Sequence, residues 1–148
     1  STHYVAVRWT PKPGQGPVPD RYYTPAEDGS ITWAAIFLTK RGGYKDMEES
    51  YGPFEAKAPL SLLKVLSPTT NVYALRWRES CTKWANRLRP KAGDVIETAQ
   101  PVVFAGHHIR LFRKVSIPRH RGVYETQEVG LVRLRPEHLV DARIINDA

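Results

Sequence analysis

The chain has 148 residues, of which 41% are hydrophobic and 25% are charged, and its formal net charge is +7. This length and composition are typical of one globular domain, which we expect to span residues 1–148. No run approaches the roughly 18 apolar residues that a membrane span needs, and Ser1–Trp9 lacks the layout of a signal peptide, so we expect a soluble, cytoplasmic protein with no membrane partner.

The basic residues are concentrated in one part of the chain. From Arg76 to Arg121 there are eleven Lys and Arg against three acidic residues, a net charge of +8, and the rest of the chain sums to −1. A concentrated basic segment is the electrostatic footprint expected for a polyanion or an acidic protein surface. The alternative is that the fold distributes these charges over separate faces.

Residues 1–57 are expected to form the N-terminal strands. Thr2–Trp9 alternates in the way typical of a half-buried strand. Residues 10–20 hold four prolines and two glycines, which predicts an exposed loop that acts as a connector or as a binding element. Ile31–Thr39 is nearly all apolar and predicts a central strand buried on both faces.

Three carboxylates follow this strand within four positions: Asp46, Glu48 and Glu49. Clustered carboxylates can hold a divalent metal for phosphodiester hydrolysis, or perform acid–base catalysis when their pKa values differ. A short acidic run is more commonly a solvated face. We therefore keep a metal-dependent hydrolase as an alternative and expect no catalytic residue, metal or cofactor.

Residues 58–90 predict a pair of helices. The first covers Ala58–Leu66, with Pro59 in its first turn. The second lies within Ser67–Pro90, begins after one of three candidate N-caps and cannot continue past Pro90. The residues expected to share the buried side of the first helix are Leu60, Leu63 and Leu66, and the candidate caps are Thr69, Thr70 and Asn71.

The second helix has an apolar face and a basic face. The apolar face is expected to be core, and it includes the only cysteine. That cysteine, Cys81, is interpreted as a buried thiol, with a catalytic nucleophile as the alternative. The apolar residues are Tyr73, Trp77, Cys81, Trp84 and Leu88, and the basic residues are Arg76, Lys83 and Arg87.

Three sequence features follow one another in a particular order: GYKDM with an acidic pair and GP, then a helix ending in LSPT, then a helix with a W-R-x-x-C core. This order resembles an uncharacterised domain family encoded on plasmids, phages and integrative elements, over roughly residues 31–115. The resemblance implies genes beside antirestriction and DNA-maintenance functions, which favours nucleic-acid handling or counter-defence. The matching residues are Gly43, Tyr44, Lys45, Asp46, Met47, Glu48, Glu49, Gly52, Pro53, Leu66, Ser67, Pro68, Thr69, Trp77, Arg78 and Cys81.

Residues 91–148 are predicted to form mainly β-strands. Short runs rich in Val, Ile and aromatic residues recur about every ten positions, which predicts an antiparallel meander or an SH3-like half-barrel. Periodicity leaves open whether Glu137–Ile145 is a strand or a short helix. The fold class is therefore α+β, and the expected strands are 94–97, 101–104, 108–115, 122–126 and 129–133.

Alternation along residues 108–115 places Arg110, Phe112 and Lys114 on one side of a strand. Basic groups beside an aromatic ring suit a nucleic-acid strand whose phosphates are neutralised while a base stacks. The alternative is an edge strand protected by charged side chains. Adjacent His107 and His108 point to opposite faces, so we expect no metal site there.

We expect a non-enzymatic protein that binds DNA or RNA. The alternative is an interaction module or inhibitor that binds an acidic surface of a host protein. The residues expected to contact either partner are Arg76, Lys83, Arg87, Arg110, Phe112, Lys114, Arg119, His120 and Arg121.

Overall fold

The computed structural model describes residues 2–15, 22–38, 43–48 and 55–146. The chain divides into two compact units, Ser1–Ala85 and Asn86–Ala148. Each unit contains an antiparallel sheet together with helical segments, which confirms the α+β class. The single domain expected over residues 1–148 stays a prediction. In the described part of the chain, no helix is long and apolar enough to cross a membrane.

The described part of the N-terminal unit holds a three-stranded antiparallel sheet with the order β1–β2–β3. Its strands are β1 (Thr2–Trp9), β2 (Ile31–Leu38) and β3 (Gly43–Asp46). Strand β2 is central, and successive residues Ala34 and Ala35 are both fully buried. Because successive side chains point to opposite faces, β2 is covered on both sides, which confirms the interpretation of its apolar run. Residues 10–15 lie outside any strand, and residues 16–20 of the proline-rich loop are outside the described residues.

Both helices are shorter than expected: α1 is Leu60–Leu63 and α2 is Val72–Ala85. Asn71 is the N-cap of α2, because its Oδ1 accepts hydrogen bonds from the main-chain N–H of Tyr73 (2.9 Å) and Ala74 (3.4 Å). Pro59 precedes α1 as its cap residue and does not lie in its first turn. Helix α2 ends at Ala85, before Pro90, the residue that was expected to stop it.

The buried face of α2 differs from the expected one. It consists of Ala74, Trp77 and Cys81, while the Tyr73 side chain remains 42% exposed. Leu88 lies beyond the end of the helix and packs in the C-terminal unit. In α1, Leu60 is exposed, and Leu62 and Leu63 contact the core. Aromatic spacing was a poor guide, because a small residue, Ala74, occupies a fully buried position on this face while the larger Tyr73 is exposed.

The C-terminal unit is a five-stranded antiparallel sheet with the order β7–β6–β5–β4–β8. Four consecutive strands form a meander, and the fifth returns after a 3₁₀ helix, Pro136–Leu139, to pair with β4. The antiparallel meander expected for residues 91–148 is therefore confirmed. The strands are β4 (Val95–Phe104), β5 (His107–Lys114), β6 (Val123–Thr126), β7 (Gly130–Arg133) and β8 (Arg143–Ile144).

Strand β4 joins the two expected strands 94–97 and 101–104 through an irregular segment. Its pairing with β5 shifts between Glu97, which opposes Leu111, and Val102, which opposes Ile109. As a result, Ile109 and Phe112 are both buried although they are three residues apart. Strict alternation along β5 was therefore wrong, since a bulge changes which residues face the core.

Candidate nucleic-acid interface

The connection between β5 and β6 contains a tight turn with an arginine at its corner. The His120 N–H donates to the Ile117 carbonyl at 3.1 Å, and Arg119 has φ +66°. Proline followed by a left-handed residue is the pattern of a type II turn. The left-handed region usually costs a residue other than Gly, Asn or Asp about 1–2 kcal/mol. Arg119 therefore occupies a backbone position that glycine would adopt at lower steric cost.

The turn lies against strand β7. Arg133 Nη2 is 3.4 Å from His120 Nδ1, and Arg133 opposes Val123 in the β6–β7 register. The side chains of Arg119, His120, Arg121 and Arg133 are all exposed. We call these four residues the basic turn surface. Sequence reasoning identified the first three and missed Arg133, which reaches them only through strand pairing.

Gly122 allows the turn to approach the next hairpin. Its φ is +72°, its carbonyl accepts a hydrogen bond from the Leu134 N–H at 2.9 Å, and an added Cβ would lie 3.0 Å from the Leu134 carbonyl oxygen. Residues with a Cβ therefore meet both a steric and a backbone penalty at this position.

Replacement of Gly122 by alanine should lower the free energy of unfolding by about 1–3 kcal/mol. Chemical denaturation measures this loss. Gly106→Ala is the matched control, because Gly106 has φ +80° but no atom within 4 Å of an added Cβ. Equal losses in the two variants would show that the close approach at Gly122 is not a constraint.

Ion pairs and other contacts distinguish the candidate cations. Arg110 Nε and Nη2 both donate to the Thr98 carbonyl at 3.2 Å, and Arg110 Nη2 is 3.8 Å from Glu97. Lys114 Nζ lies 5.0 Å from the centroid of the Tyr124 ring. Lys83 is 3.7 Å from Glu79 on α2. By contrast, within the described residues no ion pair with a carboxylate is formed by Arg113, Arg119, Arg121 or Arg133.

The remaining helical candidates do not form one face of α2. Arg76 and Lys83 lie on α2 in the N-terminal unit, whereas Arg87 follows the end of the helix and belongs to the C-terminal unit. Arg76 is exposed and Arg87 is half-buried. The basic face expected from helical spacing is therefore reduced to Arg76 and Lys83.

Phe112 cannot be a stacking platform, and this part of the expectation was wrong. Its side chain is 1% exposed, and it packs edge-to-face against Phe104 and Tyr124 with ring centroids 6.3 Å apart in each pair. Alternation placed it beside Arg110 and Lys114, but that side of β5 faces the core at this position. We remove Phe112 from the candidate interface.

The described part of the acidic cluster contacts residues of the N-terminal unit. Asp46 Oδ1 accepts a hydrogen bond from the Trp33 indole at 2.8 Å. The carboxylate of Glu48, 3% exposed, is bound by Arg78 Nε at 2.5 Å and Nη2 at 3.0 Å, and by the Ala34 N–H at 3.1 Å. Glu49 is outside the described residues. No group of three potential metal-ligating side chains occurs among the residues described.

The Glu48–Arg78 pair joins the two motifs noted in the sequence. The acidic motif supplies Met47 and Glu48, and the W-R-x-x-C motif supplies Trp77, Arg78 and Cys81. Met47, Trp77 and Cys81 are at most 1% exposed and belong to one core cluster, and the Trp77 indole donates to the Glu55 carbonyl. In this unit both motifs build the core.

A cleft of about 440 Å³ lies between the irregular segment of β4 and the 3₁₀ helix. Residues 98–103 form one wall, and Glu137, His138 and Val140 form the other. Two of its polar side chains make internal bonds: the Thr98 hydroxyl donates to the Gln100 carbonyl at 2.7 Å, and His138 Nδ1 accepts the Arg135 N–H at 3.0 Å. These bonds stabilise the irregular segment and the 3₁₀ helix.

Comparison with known proteins gives one match. Residues 68–136 match the family model of a domain of unknown function (DUF6927), a stretch that contains α2 and the basic turn surface. No curated protein and no solved structure matches the chain. This match is consistent with the expected similarity to an uncharacterised family, although it begins at residue 68 and does not include the GYKDM motif of residues 43–47.

Proposed function

We propose that the protein binds nucleic acid without catalysing a reaction, and that the basic turn surface makes the contacts. The observation that carries this proposal is the clustering of Arg119, Arg121 and Arg133 without a described carboxylate partner. Between Arg110 and Gly122 the chain has five Lys and Arg and no acidic residue. Exposed guanidinium groups suit phosphate oxygens, with which they form charge-assisted bidentate hydrogen bonds.

The backbone of the turn supports the same proposal. Arg119 is held at φ +66°, where glycine would avoid the steric cost. An unfavourable backbone conformation at an exposed arginine suggests a role in binding. The resemblance to proteins of plasmids and phages favours a role in DNA maintenance or counter-defence for a mobile element.

The test is the salt dependence of binding. For the double variant Arg119→Gly with Arg121→Gln, the slope of log K against log salt should fall by about 1.8, since each phosphate contact contributes about 0.9 for duplex DNA. Glycine is compatible with the left-handed turn, so the variant should keep the fold. Fluorescence anisotropy with labelled oligonucleotides measures the slope.

The matched control is Lys12→Gln with Lys64→Gln. It removes the same net charge from two exposed positions of the N-terminal unit, and it should leave the slope unchanged. An equal loss in both variants, or wild-type protein that shows no salt-dependent binding, would contradict the proposal. Co-purification with an acidic protein and no nucleic acid would support the interaction module instead.

A further inference from the structure

We propose that the nucleic acid bound by the C-terminal unit is double-helical, and that the contacts are to its phosphates and not to unstacked bases. This inference rests on the proposed nucleic-acid function. It reverses the expectation from sequence, in which Phe112 would stack on a base between Arg110 and Lys114.

The aromatic rings of this unit are used in its core. Residues 86–148 contain three Phe, Tyr or Trp residues, namely Phe104, Phe112 and Tyr124. Phe112 packs edge-to-face against the other two rings, and Tyr124 is 2% exposed. Lys114 lies over the Tyr124 ring, while Phe104 is half-buried and packs against the same core. Proteins that bind single strands rely on exposed rings on which successive bases stack.

The groups that this unit exposes at the turn are cationic. Arg119, Arg121 and Arg133 belong to the basic turn surface, and Arg113 is exposed on the adjacent strand β5, opposite Glu125. A double helix carries one negative charge per about 1.7 Å of axis, compared with about 3.4 Å for one of its strands. A surface that binds through charge alone therefore gains more from a duplex than from a single strand.

The size of the difference follows from counterion release. With four arginine–phosphate contacts, log K should fall against log salt with a slope of about 3.6 for a duplex and about 2.8 for a single strand. Between about 50 mM and 200 mM salt, this corresponds to a loss of affinity of about 150-fold for the duplex and about 50-fold for the single strand.

The experiment compares one oligonucleotide of mixed sequence as a single strand and as a duplex with its complement, in DNA and in RNA form. Tighter binding of either duplex than of its own single strands, with the steeper slope, supports the inference. The DNA and RNA arms show which duplex is preferred.

Tighter binding of the single strand would overturn the inference and leave the proposed function standing. If Tyr73→Leu abolished that binding, the contacts would instead lie on α2 of the N-terminal unit, where Tyr73 is an exposed ring one turn before Arg76, and the basic turn surface would not be the interface. Salt-independent binding, or no binding of any probe, would overturn both the inference and the proposed function.

Discussion

Replacing Arg78 by alanine should lower the free energy of unfolding by about 3–5 kcal/mol, as is typical when one partner of a buried ion pair is removed. Glu48 is 3% exposed, and among the described residues its carboxylate would keep, after the substitution, the 3.1 Å hydrogen bond from the Ala34 N–H. The Ser67 carbonyl would also lose its 2.9 Å bond from Arg78 Nη1. Because the buried charge would lose its Arg78 counterion, the loss should exceed that of the hydrogen bonds alone.

Chemical denaturation of matched variants tests this expectation. Arg76→Ala removes the same side chain from an exposed position of the same helix and should cost less than about 0.5 kcal/mol. The double variant Glu48→Gln with Arg78→Gln should be more stable than Arg78→Ala, since it leaves no unpaired charge. If Arg78→Ala is no less stable than Arg76→Ala, the pair does not hold the unit together.

Local patterns in the sequence predicted the elements and the class of fold. The apolar run of β2 indicated a doubly covered strand, and the spacing of short β runs indicated the meander. The Glu48–Arg78 pair could not be found in this way, because its partners are 30 residues apart in sequence. Helical periodicity placed Arg78 on neither the apolar nor the basic face of the second helix. Its place in the W-R-x-x-C motif was the one feature of the sequence that pointed to it.

The sequence predicted those residues of the candidate interface that are neighbours along the chain. Arg119 and Arg121 flank His120 in one turn, so composition alone was sufficient to select them. Arg133 was missed because it joins the turn through the β6–β7 register. The prediction for Phe112 was wrong because the irregular segment of β4 shifts its pairing with β5. Pro101 could have indicated this irregularity in the sequence, because proline lacks the N–H that a regular strand ladder requires.

At pH 8, Cys81 should react with alkylating reagents about a hundredfold more slowly in the folded protein than in the unfolded chain. This factor is the difference in the fraction of thiolate that follows from the pKa shift alone. Burial raises the pKa of this thiol from 9.0 to about 11, and the thiolate is the reactive form. The residue is fully buried in the N-terminal core, which excludes the reagent as well. A catalytic thiol would require the opposite shift of its pKa.

The raised pKa also predicts how stability depends on pH. Folding favours the protonated thiol, so this contribution is complete below pH 9 and is lost as the pH rises towards about 11. Cys81→Ala should remove this part of the loss of stability at alkaline pH. The same variant, which has no thiol, is the negative control for the labelling experiment. Rapid labelling of the native protein near neutral pH would contradict the assignment and restore the nucleophile as an alternative.

Labelling of Cys81 also reports on the Glu48–Arg78 pair. Trp77 and Cys81 share one core cluster, and Arg78 lies between them on α2, so opening of this unit should expose the thiol. When reclosing is faster than labelling, the labelling rate follows the population of the open form. Arg78→Ala should then accelerate labelling by the factor that corresponds to its loss of stability, whereas Arg76→Ala should not. Agreement between the two measurements would show that the buried Glu48–Arg78 pair stabilises the core that covers Cys81.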